Sequence, residues 1–221
     1  MPPHLYTADF ARMEAHYAAL LRKHGDGPQA VQMRDKATQE RRFEVLAQVG
    51  LPSDARVLDF GCGTGHLLEF LRQSCGYQGE YVGYDLAVDL LAAARQKLPG
   101  VQFERRDIFA DGIPGEFDYV FVSGVFNNLT DRNAAFMRDA LTLLFAHTRR
   151  ALAFNALSTY VDYCDAGLYY ADPGEIFNFC KEHLSSLVTL RHDYLIKPTA
   201  PPYEFTVYVH RTSHAPRKKL I

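Results

Sequence analysis

Three glycines at alternate positions, Gly61, Gly63 and Gly65, follow the apolar run Val57 to Phe60 and lead into an amphipathic stretch. Glycine at such spacing leaves the main chain bare, so a ligand can approach the backbone, whose amides at a helix start hold polar groups. A tight turn needing positive φ would select the same residue type, and the glycines alone do not separate the two readings. The neighbouring acids do. Asp59 precedes the glycines, where it suits a cationic group such as an ammonium and sits badly beside a pyrophosphate. Asp85 closes the next apolar run, where a carboxylate can accept hydrogen bonds from both hydroxyls of a ribose. Asp107 follows a third run and can either accept from an adenine amino group or act as a helix N-cap or exposed turn acid. The dinucleotide fingerprint G-x-G-x-x-G would place a small residue at position 66, which is His66 here. Together the acids describe a ligand with an ammonium, a ribose and an adenine, and no phosphates.

The run VLDFGCGTGHL at 57–67 resembles the first motif of the class I methyltransferases, and YVGYDLA, ERRDIF and FDYVFVSGVFNNL continue the resemblance in order. It covers Arg56 to Arg211 by order of elements, with the first motif specific and the later ones less so. The ligand described by the acids is the donor of that family, S-adenosylmethionine. The resemblance implies that Gly61, Gly63 and Gly65 pack against its methionine part, with Cys62 and His66 in the same loop. It implies also that Asp85, with Leu86, holds the ribose and that Asp107, with Ile108, lies near the adenine.

An activated sulfonium methyl asks the protein to align a nucleophile, exclude water and, where necessary, remove a proton; no metal is demanded. In an open parallel sheet the residues for this gather beyond the carboxyl ends of the strands. There SGVFNN offers Ser123 toward the cofactor, and Asn127 and Asn128 beside an apolar wall of Val125 and Phe126. Asn127 either orients an acceptor or belongs to a plain turn before Asp131. The segment departs from the N/D-P-P-Y/F sequence of many methyltransferases acting on adenine, cytosine or glutamine, so nucleic acid is not the expected partner. The stretch at 154–177 carries Tyr160, Tyr163, Tyr169 and Tyr170, which either wall an acceptor pocket or pack an insertion onto the domain. Asn155, near a strand end, contacts ligand or satisfies a backbone group. His192 beside Asp193 is a candidate general base, although adjacent strand residues face opposite ways and a packed or surface histidine is the competing reading. Asn127, Tyr170 and His192 are thus the catalytic candidates; His66 is a residue near the cofactor, and His16 and His24 are weaker. Arg34 and Arg42 can fork onto the methionine carboxylate or form ordinary surface ion pairs.

These residues need an alternating scaffold. Apolar spacing predicts helices over Thr7 to Lys23 and Lys36 to Gln48, with a lid hinge at Gly25 to Pro28. From Arg56 onward, strands RVLDF, EYVGYDL, VQFERRDI, FDYVFVSGVF and RALAFNALS alternate with helical runs, the pattern of a parallel sheet covered on both faces. A helix over DPGEIFNFCKEHL and a hairpin of LVTLRHDYL and YEFTVYVHR complete the chain. The expected fold is α/β, a doubly wound, mostly parallel seven-stranded sheet with an antiparallel C-terminal hairpin strand and two N-terminal helices. One domain spans 1–221, divided into a helical cap at 1–50, a cofactor-binding core at 56–158, a covering insertion and helix at 159–185 and C-terminal strands at 186–211.

Composition limits the alternatives. The 221 residues, 48% hydrophobic, suffice for one sizeable core. With 24 Lys+Arg against 26 Asp+Glu, and basic clusters as short as Arg149-Arg150 and Arg217-Lys218-Lys219, no polyanion-binding stripe is visible. No apolar run reaches membrane-span length, and the four scattered cysteines read as reduced thiols, so a cytoplasmic protein is expected. The expected activity is methyl transfer to oxygen or nitrogen of a small metabolite, the acceptor being unspecified. A catalytically inactive binding protein and an NAD(P)-dependent oxidoreductase are the competing readings, the latter disfavoured by His66 and Asp59.

Overall fold

A computed structural model describes residues 5–198 and 200–211 of the chain. The basic cluster at Arg217-Lys218-Lys219 lies outside them. Helices α1 (Thr7–His24) and α2 (Lys36–Ala47), joined through a short turn of 3-10 helix at Pro28–Val31, precede the first strand. The core follows as β1 (Val57–Phe60), α3 (His66–Cys75), β2 (Tyr81–Asp85), α4 (Val88–Lys97) and β3 (Gln102–Arg105). A short α5 (Ile108–Asp111) leads to β4 (Phe117–Val122), α6 (Asn133–Ala146) and β5 (Thr148–Leu157). After the insertion come α7 (Pro173–Phe179), β6 (Leu187–Arg191) and β7 (Glu204–His210).

The seven strands form one sheet in the order β3-β2-β1-β4-β5-β7-β6. The pairs among β1 to β5 are parallel, and β7 runs antiparallel between β5 and β6. Period-two alternation sends side chains of each central strand to opposite layers. Leu58, Val82, Val120 and Phe154 pack with Phe136, Met137 and Leu141 of α6. Their neighbours Val57, Tyr81, Phe121 and Ala153 pack with Leu67, Leu68 and Leu71 of α3 and with Phe43 and Leu46 of α2. Because β1 pairs with both β2 and β4, the strand order reverses beside β1, and a crevice opens beyond its carboxyl end.

Some boundaries differ from the expected ones, each for a local reason. The third strand stops at Arg105, since Asp107 turns to cap α5, accepting from the Phe109 and Ala110 amides. The fourth stops at Val122, ahead of Gly124 with φ +74°. The sixth stops at Arg191, after which Tyr194 folds inward to bond Thr206 and pack with Val45 and Ile196. The last expected helix is α7 followed by a single π-helical turn, Cys180–Leu184. All four cysteines are free, Cys62 and Cys180 buried. Among the described residues no helix is long and apolar enough to cross a membrane.

Candidate functional site

At the end of β1 the chain makes the turn that its glycines require. Gly61, Gly63 and Gly65 have φ of +80°, +53° and +83°, a region costly for residues bearing a Cβ. The space around them is also claimed. A Cβ on Gly61 would stand 2.2 Å from Val125 Cγ2 and one on Gly65 2.8 Å from Leu98 Cδ1, whereas one on Gly63 would meet Val31 Cγ1 at 3.0 Å. Packing by the protein itself therefore accounts for part of the glycine pattern, at Gly61 and Gly65. The loop is stitched to β2, with the Gly61 and Cys62 amides donating to Tyr84 O and the Gly63 amide to Asp85 Oδ2 at 2.8 Å. Asp85 Oδ1 accepts from the Ala87 amide at 2.9 Å.

The crevice above this loop is a cavity lined by Asp59, the glycine loop, Asp85, Leu86, Ser123 and Val125, and closed by Phe10, Met13, Tyr17, Val31 and Met33 of the N-terminal segment. Burial pushes the Asp59 carboxyl up to about 7, with the nearby Asp85 charge adding and the Tyr81 hydroxyl, which donates to it, opposing. Burial likewise raises Asp85, against the amides that donate to it. Ser123 Oγ is buried and has no hydrogen-bond partner among the described residues. His66 lines the cavity with its ring held by Gln39 at 3.2 Å, Thr64 at 3.3 Å and Asp26 at 3.3 Å; burial lowers its pKa.

A second cavity adjoins the first and shares Tyr17, Val31, Met33 and Gly124 with it. Asn127, Leu157, Val161, Tyr163, Leu168 and Tyr170 line its far side, so the insertion after β5 does form a wall. Asn127 Oδ1 accepts from the Leu157 amide at 3.3 Å, and its carbonyl accepts from Tyr169 N. Tyr170 Oη accepts from Asp165 N at 3.2 Å. Asn128 Nδ2 donates to Tyr17 Oη at 2.8 Å, and that hydroxyl donates to Gln32, so α1 is tied to the loop after β4.

Several expected residues lie elsewhere. His192 lines neither cavity: its Nε2 faces the Pro202 carbonyl at 2.9 Å and its ring lies against Tyr160 and Phe205, because β6 has already ended. Asp107 is engaged as a cap and Ile108 is buried in the apolar core, and both are off the first cavity, where Arg106 stands instead. Asp107→Ala is expected to cost about 1 kcal/mol in a denaturant titration, as lost caps do. Arg34, 69% exposed and 3.5 Å from Asp35, lines only the second cavity. Arg42 cannot offer a free fork, being buried against Glu204 at 2.7 Å. Asn155 satisfies a backbone group, the Gly124 amide. Tyr160 is exposed, and His16 and His24 line neither cavity. Tyr17, Gln32 and Met33 carried no chemical signal beyond Tyr17's place on the apolar face of α1.

A family described as "Methyltransferase domain" matches residues 57–146. "Putative methyltransferase Rv1506c" of Mycobacterium tuberculosis is 36% identical over 161 residues, which cover 70% of this chain and 92% of that protein. A trans-aconitate 2-methyltransferase of Rhodopseudomonas palustris is 36% identical over 101 residues, spanning 46% of this chain and 39% of the relative. Among solved structures, magnesium protoporphyrin IX methyltransferase from Synechocystis with bound S-adenosylmethionine superposes with a TM-score of 0.66 at 16% identity, covering 92% of this chain and 97% of that one. The S-adenosylmethionine-bound amino pentose methyltransferase CalS10 from Micromonospora echinaspora gives 0.59 at 20% identity, covering 87% and 96%. At such identities the likeness is one of fold.

Proposed function

The chain belongs to the class I S-adenosylmethionine-dependent methyltransferases, and from that membership we propose that it methylates an oxygen or nitrogen of a small metabolite held in the second cavity. The observation that carries this reading is the meeting of the two cavities at Tyr17 and Gly124, which gives donor and acceptor a common boundary. The residues of the first cavity fit the donor. An unpartnered Ser123 hydroxyl, a carboxyl at Asp59 and main chain bared at Gly63 are what an amino-acid moiety and its linker need. Asp59 would hold the ammonium, and Asp85, fixed by two amides, would accept from the ribose.

The sulfonium supplies the activated methyl. The chain supplies alignment and exclusion of water: Val31, Met33 and Tyr17 cover the boundary, while Asn127 and Tyr170 offer polar atoms from the far wall. Arg34 and Lys197 also line the second cavity and favour an acceptor with an acidic group, as the name of the trans-aconitate relative has for that protein. Calorimetric titration with S-adenosylmethionine and S-adenosylhomocysteine, then mass spectrometry of hydroxyl, amine and carboxylate metabolites incubated with the donor, tests the reading. Donor binding with no methylated product across the panel would favour an inactive binding protein.

Asp59 makes a pH prediction. Its carboxyl is neutral below about 7, and only the charged form pairs with an ammonium. Affinity for S-adenosylmethionine should therefore increase by about tenfold per unit as pH rises toward that value and level off above it. In the free protein the same raised pKa acts in the other direction, its stability contribution being present at acid pH and lost as pH rises through about 7. Asp59→Asn should flatten the affinity profile; an unchanged profile in titrations from acid to alkaline buffer would refute the role.

A further inference from the structure

From Gly124, where the two cavities meet, a line of buried polar groups that the sheet alone does not require runs to Arg42 in the wall of the second. The Gly124 amide donates to Asn155 Oδ1 at 2.8 Å, and Asn155 Nδ2 donates to Glu204 Oε1 at 3.1 Å. Arg42 donates through Nε to Glu204 Oε2 at 2.7 Å and through Nη1 to Thr38 O at 3.0 Å. Asn155 and Glu204 are 0% and 1% exposed. One end of the line, Gly124, lines both cavities; the other, Arg42, lines the second.

Burying two charges carries a desolvation cost that an apolar pair of similar shape would avoid, so the pair is poorly explained by stability. Geometry explains it better. Gly124, at φ +74° in the turn after β4, has no side chain to anchor it, and its neighbours Ser123 and Val125 both face the donor-side cavity. An asparagine can present either its oxygen or its nitrogen. Glu204 is an acceptor only, so it takes the nitrogen and leaves the oxygen for the Gly124 amide. Arg42 in turn fixes Glu204 and joins the line to α2.

We propose that Asn155 and Glu204 are positioning residues for methyl transfer: Glu204 sets the orientation of Asn155, and Asn155 holds the Gly124 turn that divides donor from acceptor. This rests on the methyltransferase reading of the two cavities. Asn155→Leu removes the acceptor while leaving Arg42 with Glu204, and should weaken S-adenosylhomocysteine binding by about tenfold. It should also move the Gly124 amide proton upfield in a spectrum of glycine-labelled protein. Asn155→Asp is the conservative partner, because a protonated carboxyl accepts from Gly124 with one oxygen and donates to Glu204 with the other. Its affinity relative to the unaltered chain should be near one at acid pH and fall as pH rises. Ile176→Ala, a core change in α7, serves as the stability control and should leave affinity unaltered. Unchanged affinity in Asn155→Leu, an equal loss in the control, or a pH-independent ratio for Asn155→Asp would overturn the proposal. If the unaltered chain fails to bind S-adenosylhomocysteine, the donor reading itself falls, and the Gly124 resonance alone then decides whether Asn155 holds that amide.

Discussion

Glutamate in place of Gly63 is expected to abolish binding of S-adenosylmethionine, weakening it by more than about a hundredfold, which is about 2.7 kcal/mol, while the chain stays folded. The residue lies at φ +53°, so any side chain brings strain of about 1–2 kcal/mol, within what a domain of this size tolerates. Among the described residues its Cβ would meet only Val31 Cγ1 of the N-terminal segment, at 3.0 Å. A glutamate there projects a carboxylate into the cavity that Asp59 and Asp85 already line, and must either stay charged among them or fill the donor's place. Gly61 and Gly65 are poorer probes. A Cβ at either position runs into Val125 or Leu98, so lost binding would be confounded with damage to the loop. Calorimetry with S-adenosylmethionine, paired with a denaturant titration, checks the prediction. A folded Gly63→Glu protein that keeps its affinity would remove the glycine loop from the donor site; Gly63→Ala should show the strain with only part of the binding loss.

What the sequence reveals depends on how local each constraint is. The glycine loop and Asp85 could be found because backbone geometry restricts which residue types serve there, and the restriction is local: the Gly63 amide and the Asp85 carboxylate meet at the ends of adjacent parallel strands. The strand alternation was readable for the same reason, since each central strand is buried on both faces. Asp107 was open between two local uses, and the cap of α5 took it. His192 was open between a pocket base and a packed or surface histidine, because sequence spacing cannot show that β6 ends one residue earlier. Tyr17 and Met33 were invisible as cavity-lining residues, for their place depends on how the N-terminal segment lies over the sheet. The pairing of Arg42 with Glu204, 162 positions apart, exists only because β7 inserts beside β5 and α2 packs across it. Arginine alone suggested a carboxylate partner, and the chain's own carboxylate took it.

That pairing sets the second large expectation. Arg42→Met should destabilise the fold by about 3–5 kcal/mol, because it leaves the Glu204 carboxylate uncompensated where no water reaches it. Burial already raises the Glu204 pKa, with Arg42 opposing; removing the guanidinium lets it rise further. A carboxyl whose folded pKa exceeds its unfolded one stabilises the fold at acid pH and loses that contribution as pH rises, so the variant should be least impaired in acid. Arg42→Met combined with Glu204→Leu removes both charges and should regain most of the loss, since apolar replacement of a buried ion pair is often neutral. The recovery will be incomplete by about 1–3 kcal/mol, because Asn155 Nδ2 then has no acceptor. Urea midpoints for the two single variants and the double, taken at acid and neutral pH, separate these terms. Simple addition of the single losses would mean that the two charges do not compensate each other in the core, and would leave the line from Arg42 to Gly124 without its central link.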